Sequence, residues 1–410
     1  MRIACVYLPS FPLQVHVRRA PHLAGQPLAI AGGQEHPVVV ACSRAAFEHG
    51  VRPGMTVLRA RSLAPEVTLG TTDAEANLAT IRAIAESLLA LSSTVDVGIE
   101  GRDGASRAIF LHVPTGTRGD SFGGRIHALL ARQGVRGRVG IADDRFSAWA
   151  AAATVRDSSA EAGLFAQTST SVPRGGSAAF LAGLPLGLLP LDVDVLAMLR
   201  SLGILTLGDF AELPPPSMAQ RWNDRGVDLR ILASGDDPTA LVAYAPTEAV
   251  TERLELARPL DSVEPLTFVL RPVFDRICDR LRGRGAGAER GVMRLVGASG
   301  TDVYPLDLGR PTLSGRELLD HARTVLARAS LLEPVSAIEV VITREGEPEV
   351  GDLELFEQAT GGNAASPMLG PAPEAHRRTL RGQRSVRDHR GQRTQRGKKD
   401  RRRPNLTLFD

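Results

Sequence analysis

Two carboxylate pairs are the first candidates for chemistry in this chain. Asp192 and Asp194 form an Asp-x-Asp in "PLDVDVLAML". On a strand both would face one side and could hold a divalent ion for phosphoryl or nucleotidyl transfer. They follow Pro190 and precede a helical run, so helix capping is the better reading. Asp143 and Asp144 open the helical "RFSAWAAAA" and read the same way. No phosphate-binding Gly-rich loop ends in Lys-Ser/Thr; the one Gly-Lys pair falls near the C-terminus. His16, His22, His36 and His49 lack ligand spacing, and no Ser/His/Asp or Cys/His set assembles. The first apolar run, "MRIACVYLP", ends in Pro9, Phe11 and Pro12, where a nucleotide-handling domain usually presents a carboxylate or a glycine turn.

Two other features point to partners. "DLELF" at 352–356 and "NLTLF" at 405–409 share Leu-x-Leu-Phe. Leucines and a phenylalanine outside the predicted domains suit peptides that dock in a partner's pocket, with Leu353, Leu355, Phe356, Leu406, Leu408 and Phe409 as anchors. Residues 377–403 hold 13 of the 49 Lys and Arg but only two acids, Asp388 and Asp400. The remainder has 36 basic and 44 acidic residues, a balance of −8 beneath the overall +3. Such a tail points to a polyanion, with nucleic acid the expected one. Its cations recur at every third position: Arg378, Arg381, Arg384, Arg387, Arg390, Arg393, Arg396, Lys399 and Arg402. On an α-helix that spacing drifts by ~60° per step, whereas an extended polyproline-like chain lines it along one edge. The free segment reads as low-complexity and disordered, as do the Gly/Pro-rich residues 358–376.

The elements that must position these groups fall into four segments. To about residue 172, strands and helices alternate: "IACVYL", the pair "QPLAIAG" and "PVVVACS", a helix after Asp73 with Leu78, Ile81, Ala85 and Leu88 on one face, strands "RAIFLHV" and "RGRVGIA" around "DSFGGRIHALLARQG", then "DDRFSAWAAAATV". "SVPRGGSAAFLAGLPLGLLPL" reads as a linker, and 190–235 as short helices. From 250 the order is β-α-β-β-α-β, the split-βαβ plan. Its first helix carries Leu266, Leu270, Phe274, Ile277 and Leu281 on one side, with Pro272 as an expected kink. Its second opens at Ser314 and Glu317, which have capping-box spacing.

With 410 residues and 43% apolar content, the chain is large enough for two to four domains. No run approaches ~18 consecutive apolar residues, so no membrane partner is expected. The N-terminus does not read as a secretory leader. Cys5, Cys42 and Cys278 are dispersed, with neither disulfide nor metal spacing, so a reducing cytoplasm is expected.

Over roughly residues 1–350 the chain resembles the Y-family (UmuC/DinB-like) DNA polymerases, and within them the catalytically degenerate ImuB-type members of bacterial mutagenesis complexes. The stretch "PLAIAGGQEHPVVVACSRAAFEHGVRPGMTVLRARSLAPEVTL", with "GVRPGM" at 50–55, carries the likeness most clearly. "FLAGLPLGLLPLDVDVLAMLRSLGILTLGDFAEL" resembles the entry to the family's thumb, without the glycine hairpin of active members. The resemblance implies an α+β multidomain fold: a palm at 1–172 with fingers inserted at about 11–74, a linker and helical thumb at 173–249, and a βαββαβ little finger at 250–346. A first clamp-like peptide at 347–357, a disordered linker and Arg-rich tail at 358–403, and a second peptide at 404–410 complete it.

The departures from the family pattern are chemical. Active members end the first strand in Asp-x-Asp; Tyr7 and Pro9 stand at those positions, with Phe11 and Pro12 at the following aromatics. The family's Asp-Glu pair aligns with Arg107 and Ala108, and Asp103 is the one acid close in sequence. Arg44 and Phe47 stand at the fingers' triphosphate contacts, and Trp149 at the lysine of the later helix. Tyrosine and proline cannot replace carboxylates around Mg²⁺. The resemblance therefore implies a non-catalytic adaptor for damage-induced translesion synthesis, with no cofactor. Its implied partners are DNA, the sliding clamp, a RecA-like accessory protein and an error-prone C-family polymerase. At the first position of the clamp motif the usual Gln is replaced by Asp352 and Asn405. Two alternatives stand beside it: an active translesion polymerase with a divergent Mg²⁺ site, and a nucleic-acid-binding protein without a clamp link.

Overall fold

The structure, a computed structural model, describes residues 1–33, 35–98, 101, 105–154, 168–246, 248–328, 331 and 333–348. Both Leu-x-Leu-Phe peptides, the Arg-rich run and Asp103 lie outside them.

The chain opens with β1 (Ile3–Leu8), α1 (Phe11–Arg19), β2 (Leu28–Gly32), β3 (Val38–Cys42), α2 (Arg44–Glu48), α3 (Val57–Leu63), β4 (Thr68–Thr71) and α4 (Ala74–Leu88). It continues through β5 (Val95–Asp96), β6 (Arg107–His112), α5 (Gly119–Arg132), β7 (Arg138–Ala142), α6 (Arg145–Ala153) and β8 (Ser169–Ser171). The main sheet has the order β5-β6-β1-β7-β8, with β1 central and antiparallel to both neighbours. Ala4, Val6 and Leu8 pack with α4 and α5 on one face, while Ile3 and Cys5 pack with α6 on the other. A strand covered on both sides reads as a continuous apolar run, which is why β1 is legible in the sequence. The expected strand pair β2/β3 is antiparallel, and β4 joins β2 in parallel. Asp73 caps α4 by accepting the Ala76 N–H at 3.0 Å. Ile81, Ala85 and Leu88 are buried, but Leu78, expected on the same face, is 46% exposed.

The stretch read as a linker is more than one. It contains α7 (Ser177–Ala182) and buries Leu181, Leu186 and Leu189 in the core shared with α6. Its Gly and Pro residues punctuate short elements instead of releasing the chain. The helices α8 (Val193–Ser201), α9 (Leu207–Ala211) and α10 (Pro215–Ala233) follow. Thr206 and Asp209 form a complete capping box at α9.

The last unit is β9 (Thr251–Leu260), α11 (Val263–Arg284), β10 (Gly287–Val296), β11 (Thr301–Thr312), α12 (Gly315–Leu326) and β12 (Val335–Gly346). Its sheet runs β11-β10-β12-β9 with antiparallel neighbours, so each βαβ crossover is split by one intervening strand. Leu266, Leu270, Phe274, Ile277 and Leu281 are all buried, and α11 runs on through Pro272. Only half of the expected capping box forms at α12. Ser314 accepts the Glu317 N–H, but its own N–H goes to the Thr312 hydroxyl, and Glu317 pairs with Arg310.

Candidate functional site

The C-terminal end of β1 meets the starts of β6 and β7. Tyr7 lies opposite Ala108 on one side and Arg138 on the other, and Arg107 lies opposite Leu8. Ala108 is 3% exposed, packed in the core with α6. The Arg138 guanidinium sits over the Tyr7 ring at 5.1 Å and donates to the Ala153 carbonyl at 3.2 Å. Arg107 lies 5.9 Å from the centre of the Phe11 ring and donates to the Ser106 carbonyl. The Pro9 carbonyl accepts from the Gln14 amide at 2.8 Å. Ser10 then takes a left-handed conformation (φ 47°), turning the chain into α1 with Pro12 in its first turn.

The other positions singled out in the sequence are also committed to structure. Asp144 is the N-cap of α6, accepting the Ser147 N–H at 2.8 Å, and burial raises its carboxyl above the usual range. Asp143 pairs with Arg2 at 3.3 Å and accepts the Gly175 N–H. Asp192 occupies the N-cap position of α8 without making a side-chain capping bond, so capping is realised in place only; Asp194 lies in the first turn. Trp149 is 9% exposed, with its ring 5.7 Å from that of Phe146. On α2, Arg44 pairs with Glu48 at 2.9 Å, and Arg52 stacks over Phe47 at 3.4 Å. Cys5, Cys42 and Cys278 are buried and form no disulfide.

One acid near β6 escaped the sequence reading. Asp96, on the two-residue strand β5, faces Phe110 in the ladder and is 6% exposed. It accepts from Arg145 at 3.0 Å, from the Val242 N–H at 3.0 Å and from the Gly98 N–H at 2.8 Å. Its partners lie up to 146 residues away, so no local pattern marks it.

These residues do not fit a Mg²⁺ ion. Around the end of β1 they offer a phenol packed on a guanidinium, a buried methyl, an occupied carbonyl and an arginine, whereas a protein usually anchors Mg²⁺ through one or two carboxylates. A cleft of about 1110 Å³ opens nearby, lined by Leu13, Val17, Leu23, Arg44, Glu48 and Arg136 among others. Its one carboxylate, Glu48, is held by Arg44. Among the described residues no three His, Cys, Asp or Glu side chains cluster as metal ligands, and no helix is long and apolar enough to cross a membrane.

Residues 6–101 match the impB/mucB/samB family. The chain is 30% identical to protein ImuB of Caulobacter vibrioides (strain NA1000 / CB15N) over 298 residues, covering 71% of this chain and 60% of that relative. It thus spans about 60% of the length of the curated ImuB proteins that it matches. It is 25% identical to DNA polymerase IV of Dehalococcoides mccartyi (strain CBDB1), covering 79% of this chain and 82% of that one. Among solved structures, DinB from Sulfolobus solfataricus aligns at 15% identity and a TM-score of 0.48, covering 85% of this chain and 100% of that one. The insertion ternary complex of Dbh DNA polymerase aligns at 16% and 0.49, covering 83% and 98%. The chain therefore carries a region, residues 6–101, that matches the impB/mucB/samB family, and it is similar in sequence to ImuB and DNA polymerase IV proteins.

Proposed function

We propose that this protein is a non-catalytic, polymerase-like adaptor in DNA-damage tolerance. The observation that carries the reading is the end of β1, where Tyr7 packs between Ala108 and Arg138 and none of these paired positions supplies a carboxylate. On this reading the main sheet is the palm, β2–β4 with α2 and α3 the fingers, α7–α10 the thumb, and the βαββαβ unit the little finger. Tyr7, Pro9, Arg107 and Ala108 stand where catalytic relatives hold metal, and Arg44, Phe47 and Trp149 where they hold triphosphate. The similarity to ImuB and to DNA polymerase IV supports a translesion role and DNA as a partner.

The peptides ending in Phe356 and Phe409 are proposed to dock on the sliding clamp, with the Arg-rich run 377–403 adding affinity for DNA. The synthesis itself then falls to a recruited error-prone C-family polymerase, with a RecA-like accessory protein completing a cytoplasmic, nucleoid-associated, damage-induced assembly.

The test is primer extension with Mg²⁺ alongside clamp binding on one preparation. The expected result is no extension together with clamp capture. Capture should be lost when Leu353, Leu355, Phe356, Leu406, Leu408 and Phe409 are all changed to alanine. Extension by the purified chain would establish an active polymerase instead, and capture indifferent to the substitutions would remove the clamp link.

A further inference from the structure

Buried charges from both ends of the described chain meet between the main sheet's helices and the βαββαβ unit. Glu252 of β9, 2% exposed, accepts from Arg18 of α1 at 2.8 and 2.9 Å, and from Arg276 and Arg280 of α11, each at 3.1 Å. Glu86 of α4, 1% exposed, accepts from Arg280 at 2.7 Å, Arg284 at 2.9 Å and the Tyr244 hydroxyl at 3.2 Å. Asp279 of α11 accepts from Arg132 of α5 and from Arg282, each at 2.8 Å. All three carboxylates thus have a partner across the interface.

Four further contacts support the same register. A Cβ placed on Gly283 of α11 would lie 1.7 Å from the backbone carbonyl oxygen of Glu86, so the two helix backbones touch there. The segment joining α10 to β9 is tied down as it passes. Its Val242 N–H reaches Asp96, its Tyr244 N–H reaches the Val95 carbonyl at 2.7 Å, and its Glu248 carbonyl accepts from Arg284 at 2.7 Å.

Buried ion pairs add little net attraction, because desolvating the charges offsets their Coulomb energy. What they impose is selectivity. A slide or rotation that kept the surfaces in contact would leave buried charges without partners, which is strongly unfavourable. Loosely docked arrangements are thereby excluded, leaving one closed register or full separation. Close backbone packing and the tied connector favour closure. We propose that this network is a latch holding the βαββαβ unit in one register on the main sheet, so that both move as one body, also in the presence of DNA. This inference is independent of whether the chain is an adaptor or an enzyme.

Spin labels at Leu78→Cys and Phe268→Cys, both exposed positions on α4 and α11, report the arrangement by pulsed electron paramagnetic resonance on the full chain. The native cysteines are buried. One narrow distance distribution is expected, unchanged by primer–template DNA. A broad or two-peaked distribution in this otherwise unaltered chain, or a shift on adding DNA, would overturn the latch. Gly283→Ala should at least double the width, because its methyl meets the α4 backbone. In an unlatched chain the same change would only improve helix propensity, so an unchanged width also refutes the proposal. Gly124→Ala, on α5 with nothing within 4 Å of the added carbon, is expected to leave the distribution narrow. Were it to broaden the distribution as much as Gly283→Ala, the assignment to the α4–α11 contact would fall.

Discussion

Tyr7 stands directly opposite Ala108 in the β1–β6 ladder; Ala108 lies within the core that α6 covers, and the half-buried Tyr7 packs against it. The place where catalytic relatives are proposed to hold metal is packed here as protein interior. A carboxylate reintroduced at this spot enters a desolvated environment.

Ala108→Asp is therefore expected to lower stability by several kcal/mol without conferring primer extension, since a buried carboxylate lacking a dedicated partner is strongly disfavoured. Thermal unfolding and an extension assay on the same variant check both parts. A variant as stable as the parent would show that the position is wetter than its 3% exposure implies.

Acid should loosen the interface through Glu252. Burial works to raise its carboxyl, but Arg18, Arg276 and Arg280 outweigh that and hold it down to about 2, against an ordinary 4.5. A depressed carboxyl contributes stability that is fully present above the unfolded value and fades as pH falls from about 4.5 towards 2. A shift of this size corresponds to roughly 3 kcal/mol. Glu252→Gln, which keeps the shape but leaves the buried Arg18 and Arg276 without a carboxylate partner while Arg280 keeps Glu86, should cost about 3–5 kcal/mol at neutral pH. It should also remove the share of the acid sensitivity in this window that Glu252 contributes. Denaturant unfolding between pH 2 and 7 reads both effects, and equal pH profiles for parent and variant would exclude Glu252 as the titrating group.

The two Asp144 substitutions should separate in sign. Asparagine retains an acceptor for the Ser147 N–H and removes a charge that burial disfavours, so Asp144→Asn is expected to be neutral or to stabilise by about 1 kcal/mol at pH 7. Asp144→Ala loses the cap and should cost about 0.5–2 kcal/mol. Equal losses in both variants would mean that the negative charge itself is needed at the start of α6. Thermal unfolding of the pair decides between these outcomes.

How much of this was legible in the sequence follows the range of each interaction. The β1 run, the Asp73 and Asp144 caps and the β-α-β-β-α-β order rest on neighbours within a few residues, and the structure shows them all. Asp96 with Arg145, and Arg18 with Glu252, join positions 49 and 234 residues apart, and no periodicity announces them. The α7 segment was obscured because its Gly and Pro residues punctuate without unfolding it. At α12 the capping spacing was present, but Thr312 and Arg310, just upstream, took the bonds that would have completed the box. At the end of β1 the residue types were visible from the start. Only the fold shows that they fill the space with side chains.

The chain outside its Arg-rich run is poorly suited to carry DNA affinity alone. Outside residues 377–403 the chain has a net charge of −8. Arginines on the last sheet also face acids on adjacent strands: Arg290 with Asp307, Arg294 with Glu339 and Arg344 with Glu289. Such exposed pairs are weak, yet they lessen the positive charge that this sheet offers a phosphate backbone. Deleting 377–403 is accordingly expected to weaken DNA binding and to flatten its salt dependence, because each phosphate contact contributes a slope of roughly −0.7 on single strands and −0.9 on duplex. The fall in slope counts the contacts: loss of four duplex contacts would change it by about 3.6 units. Titration of labelled DNA at several salt concentrations measures it. A truncated chain with the parent's slope would place the DNA contacts on the body and remove the tail from the interface.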